Sequence, residues 1–203
     1  MSRELERSSP GDLKERLRNA LAGKFGPPTP AYSPDGNPVL LLDTTGSMRT
    51  GEDYWATHIR AIDRLREAIR PFRGLRRFWY NDDCRELMPG EEIPEPQGNN
   101  NEPKAFRLLK TLGIKNLILV TDGAPDSASE SLRAAEGLHI DIIYIGPPPP
   151  PKFLEDLARK CGGSFDVVKF STDGAKMLES AIQKRLMIEA PSANTENKGP
   201  IIL

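Results

Sequence analysis

Cysteine is almost missing from this sequence of 203 residues, with Cys84 and Cys161 the only two. That is too few for a disulfide framework or a thiolate zinc site, so both read as reduced structural thiols. An excess of either charge is also lacking: 28 Lys and Arg stand against 29 Asp and Glu, which argues against a protein whose main business is nucleic acid. No apolar run approaches the length needed to span a bilayer. Residues 1–7, Met-Ser-Arg-Glu-Leu-Glu-Arg, have no signal-peptide core, so a cytoplasmic setting is expected. There are no internal repeats at solenoid periods. What remains is a chain long enough to bury a substantial core, as one domain with extensions.

The informative stretch is Pro38 to Met48, Pro-Val-Leu-Leu-Leu-Asp-Thr-Thr-Gly-Ser-Met. Val39 to Leu42 is apolar without alternation, as suits a strand buried on both faces of a parallel sheet. Asp43 ends the run, and Thr45, Gly46 and Ser47 follow. A carboxylate and two hydroxyls at alternate positions of a tight loop can converge on one point, because Gly46 lets the backbone curl. Oxygen donors of this kind suit Mg²⁺ or Mn²⁺ with several waters retained, and do not suit zinc. A second apolar run, Asn116 to Val120, ends in Thr121-Asp122-Gly123. Polar residues beyond the carboxyl ends of parallel strands gather in one crevice, so Asp43 and Asp122 are expected to meet there.

The rest of the chain alternates. Leu13, Leu17, Leu21 and Phe25 make an apolar stripe on a helix within residues 1–37, which either docks on the following domain or engages a partner; a Pro-rich linker follows. Glu52 to Phe72 is a helix with Trp55, Ile59, Ile62, Leu65, Ile69 and Phe72 on its core face. Its arginines, Arg60, Arg64, Arg66, Arg70 and Arg73, could contact phosphates but read better as a solvated face with intrahelical ion pairs. Leu75 to Tyr80 is a strand, Asp82 and Asp83 a turn, and Cys84 to Met88 a short antiparallel partner. After a polar loop come the helix Lys104 to Leu112, the Asp122 strand, and the helix Ser127 to Glu136. The strand His139 to Ile145 follows, then a stiff five-proline connection and the helix Lys152 to Lys160. Phe165 to Phe170 is the last strand, and the helix Asp173 to Ile188 has Met177, Leu178, Ile182 and Leu186 inside. Residues 190–203 are a loose tail. This is an α/β pattern: a three-layer, Rossmann-like architecture with a mainly parallel six-stranded sheet, one antiparallel edge strand and helices on both faces.

Asp-Thr-Thr-Gly-Ser after Leu-Leu-Leu, together with Val-Thr-Asp-Gly later, resembles a von Willebrand factor type A (VWA) domain over residues 38–189, and specifically its metal-ion-dependent adhesion site. The resemblance implies a cation, Mg²⁺ or Mn²⁺, held by Asp43, Thr45, Ser47 and Asp122, some of them through water. Such domains take a third direct ligand from a loop threonine. None stands at that place here, so Asn100 or Glu102 is the candidate. Thr44, Gly46, Met48 and Gly123 lie on the same loops and are expected to face the partner. The implied function is recognition of an Asp or Glu on a partner protein, in an adaptor of a multiprotein assembly such as those with AAA+ ATPases, with no membrane or nucleic acid involved and no catalysis. Two alternatives stay open. A Mg²⁺-dependent phosphotransferase similar to haloacid dehalogenases would use Asp43 as nucleophile, although position 45 is Thr where such enzymes want Asp, and neither His58 nor His139 is placed as a proton carrier. The other is a VWA domain with a vestigial metal site that binds through its surface.

Overall fold

The computed structural model describes residues 38–49, 60–169 and 173–188. The expected amino-terminal helix, His58, the first half of the Glu52 helix and the carboxyl-terminal tail lie outside them.

Six strands form one sheet, in spatial order β3-β2-β1-β4-β5-β6. They are β1 (Val39–Asp43), β2 (Arg77–Tyr80), β3 (Cys84–Glu86), β4 (Asn116–Thr121), β5 (His139–Tyr144) and β6 (Phe165–Val167). All neighbours are parallel except β2 and β3, which pair antiparallel across the short turn at 81–83. Asn81 Oδ1 accepts from the Asp83 amide there, the turn chemistry expected of that stretch. The unalternating Leu40, Leu41 and Leu42 are each fully buried because helices cover both sides of β1. Each such burial contributes roughly 1.5–3 kcal/mol.

Two cores result. Leu40 and Leu42 pack with Ile118, Val120 and Ile143 beneath α1 (Ala61–Ala68) and α5 (Gly174–Ile188). Val39 and Leu41 pack with Phe78, Leu117 and Ile142 beneath α2 (Glu102–Thr111), α3 (Ala128–Ala135) and α4 (Lys152–Lys160). The three layers of the expected α/β architecture are therefore present.

Several details differ from expectation. The helix before β2 ends at Ala68, and a 3-10 turn at Arg70–Phe72 replaces its last turn; Pro71 removes the amide that would have continued it. Arg64 is 4 % exposed, so the arginine face of α1 is not uniformly solvated. Helix α2 starts at Glu102 rather than Lys104, because Pro103 is tolerated in a first turn and the Asn101 side chain accepts from the Lys104 amide. Met177 is 43 % exposed and lies off the inner face that Leu178, Ile182 and Leu186 make. Strand β6 stops at Val167.

Candidate functional site

The site grows from the point where the sheet's connections diverge. Strand β1 sends its chain to β2 on one side and is paired with β4 on the other, so the loops after β1 and β4 leave a crevice at their carboxyl ends. Asp43 closes β1 and is fully buried. Its Oδ1 accepts from the Thr45 amide at 2.8 Å, and its Oδ2 accepts from Thr121 Oγ1 at 2.6 Å and from the Tyr80 hydroxyl at 3.2 Å. Ser47 Oγ donates to Asp122 Oδ1 at 2.6 Å and lies 2.9 Å from Thr45 Oγ1. Asp43, Thr45, Ser47 and Asp122 are thus joined in one hydrogen-bonded constellation built from two loops.

A third loop is stitched onto the first two by backbone bonds. The Gly46 amide donates to the Gly98 carbonyl, the Gln97 amide to the Thr44 carbonyl, and the Asp126 amide to the Asn100 carbonyl. Gly98 has a φ of 69°, and a Cβ there would fall 2.0 Å from Asp82 Oδ2, so only glycine fits. Gly146 performs a similar service behind Asp122, whose carbonyl oxygen would lie 2.1 Å from an added Cβ. Asn100 is 7 % exposed and Glu102 fully buried; Asn100 Oδ1 and both Glu102 carboxyl oxygens lack hydrogen-bond partners. Ser131 Oγ is near enough to Glu102 to favour its anion, although no hydrogen bond of regular geometry joins them.

The electrostatics are those of acids crowded without a counter-charge. Burial, and then the charge of Asp43, push the Asp122 carboxyl up to about 7, against the opposing Ser47 hydrogen bond. The same two causes push Glu102 up to about 8. Burial raises Asp43 itself, against the hydrogen bonds from Thr121, Thr45 and Tyr80. The Tyr80 phenol is held well above its usual range by burial and by the charges of Asp43, Glu102 and Asp122. Near neutrality these carboxyls share protons instead of all ionising.

Two residues expected to face a partner do not. Thr44 is fully buried and donates from Oγ1 to the Tyr80 carbonyl at 2.8 Å, and Met48 is fully buried in the α1-side core. Gly46 and Gly123 are half-exposed, and Ser47 is exposed. Two residues given no role at the site by the sequence also hold it: Thr121 and Tyr80, whose hydroxyls grip Asp43. Only their position as strand-end residues signalled them.

The donor set fits a hard divalent cation: carboxylates, hydroxyls and an amide oxygen, with three buried oxygens lacking partners. Among the described residues no three Asp, Glu, His or Cys side chains are grouped as metal ligands, so a cation here depends on hydroxyl oxygens and water as well as acids.

The strand order, the antiparallel edge and the helices on both faces define a VWA-like α/β fold. No family model matches the sequence, and no curated protein matches it. Among solved structures the chain is similar to "von Willebrand factor type A from Catenulispora acidiphila", with a TM-score of 0.54 and 17 % identity. The match covers 73 % of this chain and 42 % of that one, so the chain spans less than half of that protein's length. At this identity the likeness carries the fold alone. Among the described residues no helix is long and apolar enough to cross a membrane.

Proposed function

We propose that this chain is a protein-binding domain that recognises an acidic side chain of a partner through a divalent cation. The observation that carries the reading is the constellation of Asp43, Thr45, Ser47 and Asp122 at the carboxyl edge of the sheet. These four residues would hold Mg²⁺ or Mn²⁺, with Asn100 or Glu102 completing the set, and a bound cation supplies an open coordination position for a partner carboxylate. Thr121 and Tyr80 fix the Asp43 carboxylate from behind. The Gly98 loop holds the Ser47 turn in place. Ser47, Gly46 and Gly123 form the exposed rim that a partner meets. The partner is a protein presenting Asp or Glu, in a cytoplasmic multiprotein assembly of which an AAA+ ATPase is one form.

Binding is favoured over phosphoryl transfer because Asp43 is fully buried, out of reach of a phosphate ester, whereas its Oδ1 accepts only from the Thr45 amide and keeps a lone pair for a small cation. One fact favours a vestigial site: Thr45, Ser47 and Asp122 already satisfy one another by hydrogen bonds. Calorimetric titration with Mn²⁺ decides between these readings. Saturable binding with a dissociation constant on the order of 10⁻⁴–10⁻³ M is expected, lost in Asp43→Ala and Ser47→Ala with the circular dichroism spectrum unchanged. Absence of binding at 20-fold higher Mn²⁺ than that range would establish the vestigial form. Turnover of generic phosphate esters with Mg²⁺, abolished in Asp43→Asn, would establish the enzyme.

A further inference from the structure

At the opposite end of the sheet lies a cavity of about 490 Å³ whose wall includes four arginines. Arg66 comes from α1, Arg70 and Arg73 from the 3-10 turn and its end, and Arg77 from the first position of β2. Arg77 is 7 % exposed, and its Nε has no hydrogen-bond partner. Burial and the like charge of Arg73 both act against its ionised form. A buried cation facing another cation is tolerated in a fold when an anion completes the arrangement.

Among the described residues no carboxylate is paired with Arg70, Arg73 or Arg77, although Glu91 and Glu92 also line the cavity. Arg66 is occupied by Asp63, Glu95 and the Ile93 carbonyl, contacts that hold the wall in place. Glu91 pairs with Arg85 at 3.2 Å and accepts from the Met88 amide, and Glu92 is exposed on the rim. Arg70, Arg73 and Arg77 are left facing the cavity, beside an apolar wall of buried Ile69, Leu87 and Ile93. Three forked guanidiniums outnumber what one carboxylate can accept but match the several oxygens of phosphate. The volume falls within the roughly 300–1,000 Å³ of small-molecule sites.

We propose that this cavity binds a phosphorylated small molecule, its phosphate held by Arg70, Arg73 and Arg77 and its organic body lying on Ile69, Leu87 and Ile93. The site is separate from the carboxylate crevice and needs no metal. The test is calorimetry on the full chain in EDTA, titrating pyrophosphate and, separately, a nucleoside diphosphate. Both are expected to bind one to one, the nucleoside diphosphate at least 10-fold tighter. The surface double variant Arg70→Glu/Arg73→Glu should lose both ligands by 30-fold or more while keeping the wild-type circular dichroism. Ile93→Ala should weaken the nucleoside diphosphate alone. Failure of both ligands to bind at 10 mM, or equal binding by the wild type and the double variant, would overturn the site; equal affinity for the two ligands would overturn the role of the apolar wall. Arg77→Met should lose both ligands likewise; if that variant fails to fold, the double variant still decides, because Arg70 and Arg73 are exposed.

Discussion

At the carboxyl end of the sheet Asp122 and Glu102 are each buried within range of the Asp43 charge, whereas at the amino end Arg77 is buried beside Arg73. Both ends assemble like charges, but they manage them differently. The acids can neutralise themselves by keeping protons, and the raised Asp122 and Glu102 carboxyls do so near neutrality. Arginine has no such escape, since its guanidinium stays charged at any ordinary pH. The acidic end is thus responsive to pH and the basic end is not.

The largest effect that would break this contrast lies at Glu102. Its carboxyl titrates near 8 in the fold against an ordinary 4.5, and Asp122 near 7 against 3.8. Between those limits the folded chain holds protons that the unfolded chain has released, so stability falls as pH rises through that window and levels off above pH 8. Glu102→Gln removes the larger share. In metal-free buffer it should stabilise the domain by on the order of 2 kcal/mol at pH 9 and change nothing at pH 4. Denaturant midpoints at the two pH values measure this. Equal midpoints for wild type and variant at pH 9 would mean that Glu102 is solvated and takes no part in the crowding.

Arg77→Met sharpens the basic end. Methionine fills the volume of the aliphatic stem and removes an unpaired buried charge, so without ligand the variant should be more stable by about 1 kcal/mol, and equally so at pH 5 and pH 9. The pH independence separates this end from the acidic one. A destabilised variant would show that the Arg77 stem and charge are held by contacts the cavity depends on.

Much of this was legible in the sequence, and the reasons are particular. Val39–Asp43 and Asn116–Thr121 announced themselves because unalternating apolar runs that end in Asp have few other uses. The hairpin follows from Asn81 to Asp83 and the two loops from the runs' ends, and Lys152–Lys160 is helical as expected. Glu102 is expected in the polar loop, and the fold puts it in the first turn of α2, where Pro103 at the next position is tolerated. Met48 and Thr44 sat in the motif and were assigned outward, whereas the 3-10 turn at Gly46–Arg49 rotates Met48 into the core. The basic cavity was not legible as a cavity, although three of its arginines were open to phosphate contact. Arg66, Arg70 and Arg73 lie on one stretch and read as a solvated face, but Arg77 comes from the neighbouring strand and meets them only through the pairing of β2 with β1. Local period describes an element's own faces and says nothing of what another element brings to them.

The smallest expected effect supplies the control. Arg60, Asp63, Arg66 and Glu95 form a surface network with contacts of 2.8–3.2 Å, two cations against two anions. Here charge is balanced and water is present, so the arrangement has none of the stress found at either end of the sheet. Glu95→Gln should leave the unfolding midpoint near the wild-type value at moderate salt, with a difference visible only at low ionic strength. It should also leave Mn²⁺ binding untouched, because the Glu95 carboxylate bonds Arg60 and Arg66, whereas its segment is tied to the Asp43 loop by the Gln97 amide and the Pro96 carbonyl. One distant readout is expected to move: Arg66, released from Glu95, is freed toward the cavity it lines, so pyrophosphate should bind slightly more tightly to the variant. Calorimetry at two salt concentrations checks both parts. A large loss of stability at moderate salt would mean that balanced surface pairs, rather than unbalanced buried ones, dominate this molecule's electrostatics.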